Sequence, residues 1–205
     1  MPRVFLVALG LLFWNAALST NDGAQRLTRF LDGLNTLQAE FLQTVMTTGQ
    51  TQNMTSRGTF YLSRPGRFLW TYDEPEGQFV VADGSRVWLY DADLEQVSHQ
   101  SQDAALKGTP ALLLSDTGPV DRHFEVVDLG SRIGLEWVEL IPRAEDSEII
   151  KVLVAFRGET LDRLEMIDSF GQVTRFEFRR VQRNPELAAE LFRFDPPPAI
   201  DILGR

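Results

Sequence analysis

Apolar residues recur along this chain with two different periods. Over residues 25–37 they fall at Leu27, Phe30, Leu31, Leu34 and Leu37, the spacing that gives a helix one apolar stripe. Further along the period drops to two. Phe68, Trp70 and Tyr72 share one side of a strand, and Trp88 and Tyr90 share one side of another. Later rows repeat the pattern: Val152, Val154 and Phe156, then Leu164 and Met166 opposite Arg163 and Glu165, then Phe176 and Phe178 opposite Arg175, Glu177 and Arg179. Strands are predicted near 55–63, 67–72, 78–82, 86–91, 95–99, 124–129, 135–141, 149–157, 161–168 and 172–181. Residues 38–46 fit either a continuation of the helix or a first strand. Short strands separated by Asp83-Gly84, Gly130 to Gly134, Gly158-Glu159 and Ser169-Phe170-Gly171 predict a meandering antiparallel sheet or barrel, apolar on one face and solvated on the other.

The meander is interrupted over residues 102–119. Asp103 to Gly108 and Thr109 to Leu114 read as two short helical pieces, with Thr109 capping the second and Pro110 in its first turn. Helices this short are marginal alone and must dock on something. Residues 185–191 fit one more, and Phe192 to Pro198 ends the chain's folded part in an extended segment. One helix and two short pieces are little material to fill a curl of about ten or eleven strands. A partly open apolar concavity with a loosely held plug is the alternative to a packed core. Phe68, Trp70, Phe79, Val81, Trp88, Leu89, Trp137, Val154, Leu164, Met166, Phe176 and Phe178 are the candidates to line it.

Composition adds an address. Arg3, the apolar run from Val4 to Trp14 and the small residues of Asn15-Ala16-Ala17-Leu18-Ser19 read as a secretory signal over 1–19, leaving a single domain over 20–205. The apolar run is too short to span a bilayer, which needs roughly 20 residues. The chain has no cysteine, which excludes disulfides, thiol catalysis, Cys-based metal sites and a lipoprotein anchor. Losing 1–19 removes one Arg and no acid, so the net charge moves from −9 to −10. That balance argues against nucleic acid and anionic membrane surfaces as partners.

Catalytic chemistry is sparse. His99 and His123 are the two histidines, with no Gly-x-Ser-x-Gly elbow and no Gly-rich phosphate loop. Asp116-Thr117-Gly118 imitates an aspartic protease motif but occurs once, and is read as a turn after a helix. No metal or cofactor is expected, and the chain reads as a binding protein rather than an enzyme. A secreted hydrolase using a carboxylate pair stays open as the contrary reading.

At this point the residues resemble a family. Arg64-Pro65-x-x-Phe68-x-Trp70, then Pro75, Asp83-Gly84, Trp88-x-Tyr90, Glu95-Gln96-Val97 and Thr109-Pro110-x-x-Leu113 are similar to the periplasmic outer-membrane lipoprotein carriers of the LolA family. Leu34-x-x-Leu37-x-x-x-Phe41-x-Gln43 and Phe192-x-Phe194-x-Pro196-Pro197 fit the same family. The resemblance implies a mainly β fold with α: an unclosed antiparallel β-barrel of about eleven strands, with a helical lid over an apolar cavity. It implies a periplasmic chaperone that takes the acyl chains of lipoproteins from an inner-membrane ABC transporter and delivers them, as a monomer, to an outer-membrane receptor. Arg64 matches the family arginine that latches the lid. Phe68, Trp70, Phe79, Trp88, Leu164, Met166, Phe176 and Phe178 become acyl-cavity candidates, and Leu27, Leu31, Leu34, Pro110, Leu112, Leu113 and Leu114 lid residues. A periplasmic lipid sensor or lipid carrier on the same half-barrel is the alternative. The chain departs from the family at Gly66-Arg67 and in the acidic stretch Glu145-Asp146-Ser147-Glu148.

Overall fold

A computed structural model describes residues 22–49, 51–74, 77–107, 109–196 and 201–204. The signal expected over 1–19 lies outside the described residues, as do Pro75 and Pro197. The chain opens with a helix, α1 (Asp22–Leu31). Strands β1 (Thr36–Met46), β2 (Met54–Ser63), β3 (Arg67–Glu74), β4 (Phe79–Asp83), β5 (Arg86–Asp91) and β6 (Gln96–Ser101) follow as a meander. The helices α2 (Gln102–Leu106) and α3 (Pro110–Ser115) and a 3-10 turn (Val120–Arg122) interrupt it. It resumes with β7 (Phe124–Arg132), β8 (Leu135–Pro142), β9 (Ile149–Arg157), β10 (Thr160–Asp168) and β11 (Val173–Arg183), then a second 3-10 turn (Ala189–Phe192) and a short β12 (Asp201–Gly204).

All twelve strands form one sheet in the order β12-β6-β5-β4-β3-β2-β1-β11-β10-β9-β8-β7. Eleven are antiparallel neighbours; β12 lies parallel on β6. The two halves join where β1 pairs with β11, and the ends of the order do not meet, so the sheet is an unclosed barrel of the expected kind. Residues 38–46 are therefore strand. The helix expected over 25–37 is shorter: it ends at Leu31, and Gly33 (φ +64) turns the chain in the left-handed conformation that glycine adopts freely. Leu34 thus belongs to the turn and Leu37 to β1, though both remain buried in the same core. In the second interruption, Thr109 caps α3 by accepting from the Leu112 amide, with Pro110 at the helix start.

Alternation gives the sheet two faces with different chemistry. The inner face carries Leu37, Ala39 and Phe41 of β1 and Phe60 and Leu62 of β2. Phe41 sits opposite Phe178 on one side and Gly58 on the other. A Cβ at Gly58 would come within 1.8 Å of the Thr71 carbonyl oxygen and 3.0 Å of the Phe41 ring, so close packing of β2 on β3 requires a glycine there. The outer face of the second half carries ion pairs, Arg175 to Glu165 at 2.7 Å, Lys151 to Glu139 at 2.8 Å and Arg163 to Glu177 at 3.5 Å.

Candidate functional site

The inner face forms an apolar cup. Trp70 is its centre, with ring centroids 4.3 Å from Phe60, 4.8 Å from Phe176 and 4.9 Å from Phe41. Phe68 and Trp70 project to the same side of β3, and Leu164 pairs with Phe176 across β10 and β11, so both rows meet in one cluster with Phe178 and Met166. Tyr72 closes one end, donating its hydroxyl to Gln43 at 3.0 Å, and burial raises its phenol above the ordinary value.

The cup is filled by the chain itself. Leu27, Phe30 and Leu34 enter from α1 and its following turn, and Leu106, Leu113 and Leu114 from α2 and α3. Leu31 and Leu112 pack against the cluster but stay partly exposed. Phe30 meets Phe156 with ring centroids 5.5 Å apart. Fully burying one such side chain stabilises by about 1.5–3 kcal/mol, and this burial holds helices of six and ten residues that are marginal on their own.

Two of the eight expected cavity residues do not face the cup. Phe79 and Trp88 lie on the outer face with Val81, Val97 and Tyr90, in a second cluster covered by Phe194. The register explains it: Trp70 pairs with Val80, so Val80 is inward and its neighbours Phe79 and Val81 outward, and Val81 pairs with Trp88. Trp137 is likewise outward, under the Arg163 guanidinium at 6.0 Å. Leu89, by pairing with Val80, is on the inner side by register, but it is 49% exposed and does not join the cluster that forms the cup.

Arg64 stands between the turn joining β2 to β3 and both lid pieces. One terminal nitrogen donates to the carbonyl oxygens of Leu31 (2.9 Å) and Leu34 (3.3 Å); the other donates to the carbonyl oxygen of Asp116, just past α3. Burial lowers the guanidinium from its ordinary value, and the Asp116 carboxylate works the other way. Asp116 is itself held: Gly118 donates its amide to one carboxyl oxygen at 3.0 Å, and His123 Nε2 lies 2.8 Å from the other. Desolvation pushes this carboxyl up, but these contacts outweigh it and hold it below the usual carboxylate range. Asp116-Thr117-Gly118 is thus the expected turn after a helix. A groove of about 790 Å³ opens beside Arg64 between α1 and residues 117–121.

Three further residues hold the lid and escaped the sequence reading. Arg183 at the end of β11 donates to the carbonyl oxygens of Phe30 (3.0 Å) and Asp32 (2.9 Å). Asn184 binds the turn after α1, accepting from the Asn35 amide at 2.8 Å and donating to Gly33 at 2.9 Å. Gln102 bridges the two neighbouring turns, donating to the Gly66 carbonyl (2.7 Å) and accepting from the Gly84 amide (3.1 Å). Their only sequence signal is a polar residue next to a strand or helix end, which many residues share.

Comparison with known proteins gives a consistent picture. Residues 32–195 match the family model described as outer membrane lipoprotein carrier protein LolA. The outer-membrane lipoprotein carrier protein of Methylococcus capsulatus is 39% identical over 199 residues, covering 97% of this chain and 96% of the relative. That of Nitrosospira multiformis is 38% identical over 195 residues, covering 95% and 93%. Among solved structures, an uncharacterized conserved protein from Thermus thermophilus shares the fold with a TM-score of 0.54 at 14% identity, covering 89% of this chain and 99% of that one. A putative outer membrane lipoprotein-sorting protein domain from Vibrio parahaemolyticus does so with a TM-score of 0.52 at 14% identity, covering 82% and 94%.

Proposed function

Because this chain belongs to the LolA family of outer membrane lipoprotein carrier proteins, we propose that it works in the periplasm, holding the acyl chains of lipoproteins in the cup behind α1, α2 and α3. It is a chaperone and not an enzyme. The observation that carries this reading is an apolar sheet face filled by the protein's own short helices, with Arg64 tying both α1 and the end of α3 to the sheet.

The energetics say why the cup is filled. Burying one acyl CH₂ is worth about 0.8 kcal/mol, so a C16 chain offers roughly 12 kcal/mol. A rigid, empty apolar cup would hold two or three such chains almost irreversibly. When the chains must displace Leu27, Phe30, Leu113 and Leu114, only the difference remains as affinity. Cargo can then pass down a gradient of affinity, from an inner-membrane ABC transporter to the carrier and from the carrier to an outer-membrane receptor, without a nucleotide bound to the carrier. Arg64 is the latch that sets the closed state, and the carrier acts as a monomer. Among the described residues no helix is long and apolar enough to cross a membrane.

The test is retention of lipoprotein released from inner-membrane spheroplasts. The mature chain should leave the spheroplasts with triacylated lipoprotein bound, detected by native mass spectrometry. Recovery of free phospholipid alone would instead support a lipid sensor.

A further inference from the structure

The acidic departure from the family pattern plays no part in the cup or the latch. It lies in the loop between β8 and β9, across a groove of about 1280 Å³ from the lid. One wall is formed by α2 and α3, with Gln102, Asp103, Lys107, Thr109 and Leu112. The other is formed by Arg122, His123 and residues of the loop, among them Arg143, Asp146 and Glu148. The floor is apolar and continuous with the cup, since Leu106 belongs to the inner cluster and Leu112 and Ile149 pack against it. The rim mixes both charges with amides.

The lid is tied unequally on its two sides. Towards the turns at Gly66 and Gly84 it is held by Gln102 and by the Gly66 amide, which donates to the Ser115 carbonyl at 3.0 Å. Across the groove, among the described residues, the ties are Asp116 with His123 at the inner end and Lys107 with Asp146, 2.6 Å apart, at the outer end. The Lys107 and Asp146 side chains are 52% and 70% exposed, so this pair is screened by salt and contributes little to holding the lid. The weakly held edge is the one that opens into the apolar floor.

We propose, resting on the carrier reading above, that this groove is the port through which the acylated end of a lipoprotein enters the cup, with Lys107 and Asp146 as its gate and Gln102 at the hinge side. In the loaded carrier the groove then holds the cargo's polar head: the ester and amide groups of the acylated cysteine and the first extended residues after it. Such a head offers neutral carbonyls and N–H groups, which match a rim of amide and mixed-charge side chains better than a surface of one sign.

Because the chain has no cysteine, Lys107→Cys/Asp146→Cys introduces the only two thiols, both at exposed positions. The probe is a fluorescent triacylated lipopeptide, and the lock is a bis-maleimide with a reducible centre. The bridged variant is expected to load at least tenfold more slowly than the unbridged one, and reduction of the bridge to restore the rate. A control bridge at Arg157→Cys/Asp162→Cys, across the β9–β10 hairpin, should leave loading unchanged. Lys107→Glu, which sets a third acid beside Asp146 and Glu148, should load severalfold faster at low salt, the gap closing at 1 M, where the screening length is about 3 Å. Loading at the unbridged rate with the bridge in place overturns the port while leaving the carrier reading intact. A wild-type protein that takes up no lipopeptide at all overturns both.

Discussion

The guanidinium of Arg64 donates to the carbonyl oxygen of Leu31 at 2.9 Å, so a cation in a turn of the sheet closes the C-terminal end of the lid helix. The same side chain reaches the Asp116 carbonyl past α3, so it ties both lid pieces to this edge of the sheet. Hydrogen bonds to a charged group are each worth about 1.5–3 kcal/mol. Losing the latch should therefore destabilise the closed state by about 1.5–3 kcal/mol net in Arg64→Leu and favour the loaded, open form by roughly ten- to a hundredfold. Cargo loads normally and then accumulates on the carrier. Arg64→Lys keeps the charge but loses the planar fork, and should transfer at an intermediate level. The measurement is transfer of loaded lipoprotein to purified receptor; normal transfer by Arg64→Leu would return Arg64 to a structural role.

Trp70 touches Phe41, Phe60 and Phe176 and remains partly exposed, whereas Phe68 is buried against the lid. A carboxylate costs several kcal/mol in an apolar site unless water reaches it. Trp70→Glu should thus fold with the lid loosened and lose retention of acylated cargo, while Phe68→Glu should lose stability as well. Urea unfolding followed with lipopeptide binding separates the two effects. Undiminished binding by folded Trp70→Glu would remove Trp70 from the acyl site.

Asp83 supplies a pH-dependent element near the hinge side of the lid. Its carboxylate accepts from the amides of Ser85 and Arg86, the Ser85 hydroxyl and the Trp88 indole at 2.8–2.9 Å. Desolvation pushes the group up, but these bonds outweigh it and hold it at about 2, against an ordinary 3.8. A depressed carboxyl contributes stability that is fully present above the unfolded value and is lost as pH falls through the folded one. Wild type should exceed Asp83→Asn in unfolding midpoint at pH 5–7, with the advantage shrinking between pH 4 and 2. An advantage that is constant over that range would rule out the carboxylate as the cause.

Strands such as β10 and β11 were legible because their faces differ: Leu164, Phe176 and Phe178 inward, Arg163, Glu165, Arg175 and Glu177 outward, leave one sensible orientation. The run Phe79-Val80-Val81 has no such contrast, since both of its faces are buried, and parity could not say which side met the cup. What covers its outer side is Phe194, more than a hundred residues later, and nothing local announces that contact. The helix end was misjudged for a related reason. Leu34 and Leu37 continue the helical spacing by coincidence, while Gly33 directs them into the same core through a turn. Arg64 was legible only through the family motif. Arg183 has no motif, and its contacts to α1 depend on where β11 ends beside β1.

The outer cluster gives the sharpest separation between packing and binding. Phe194 lies edge-on to Phe79 with ring centroids 5.0 Å apart, and within 5.7 Å of Trp88 and 5.9 Å of Tyr90. It anchors the segment that crosses the outer side of β3 and β4 after β11. Aromatic pairs add about 0.5–1.5 kcal/mol each beyond the area they bury, and Phe194 is only partly buried. Phe194→Ala should cost about 2 kcal/mol, which for a domain of this size lowers Tm by roughly 4–8 °C. It should leave lipopeptide affinity within twofold, because the cluster shares no buried residue with the cup. Trp88→Ala should behave alike, with a larger loss of stability from removing the indole that binds Asp83. If Phe79 and Trp88 were acyl contacts, both variants would weaken lipopeptide binding in step with their loss of stability, and calorimetric unfolding beside a binding titration distinguishes the two cases.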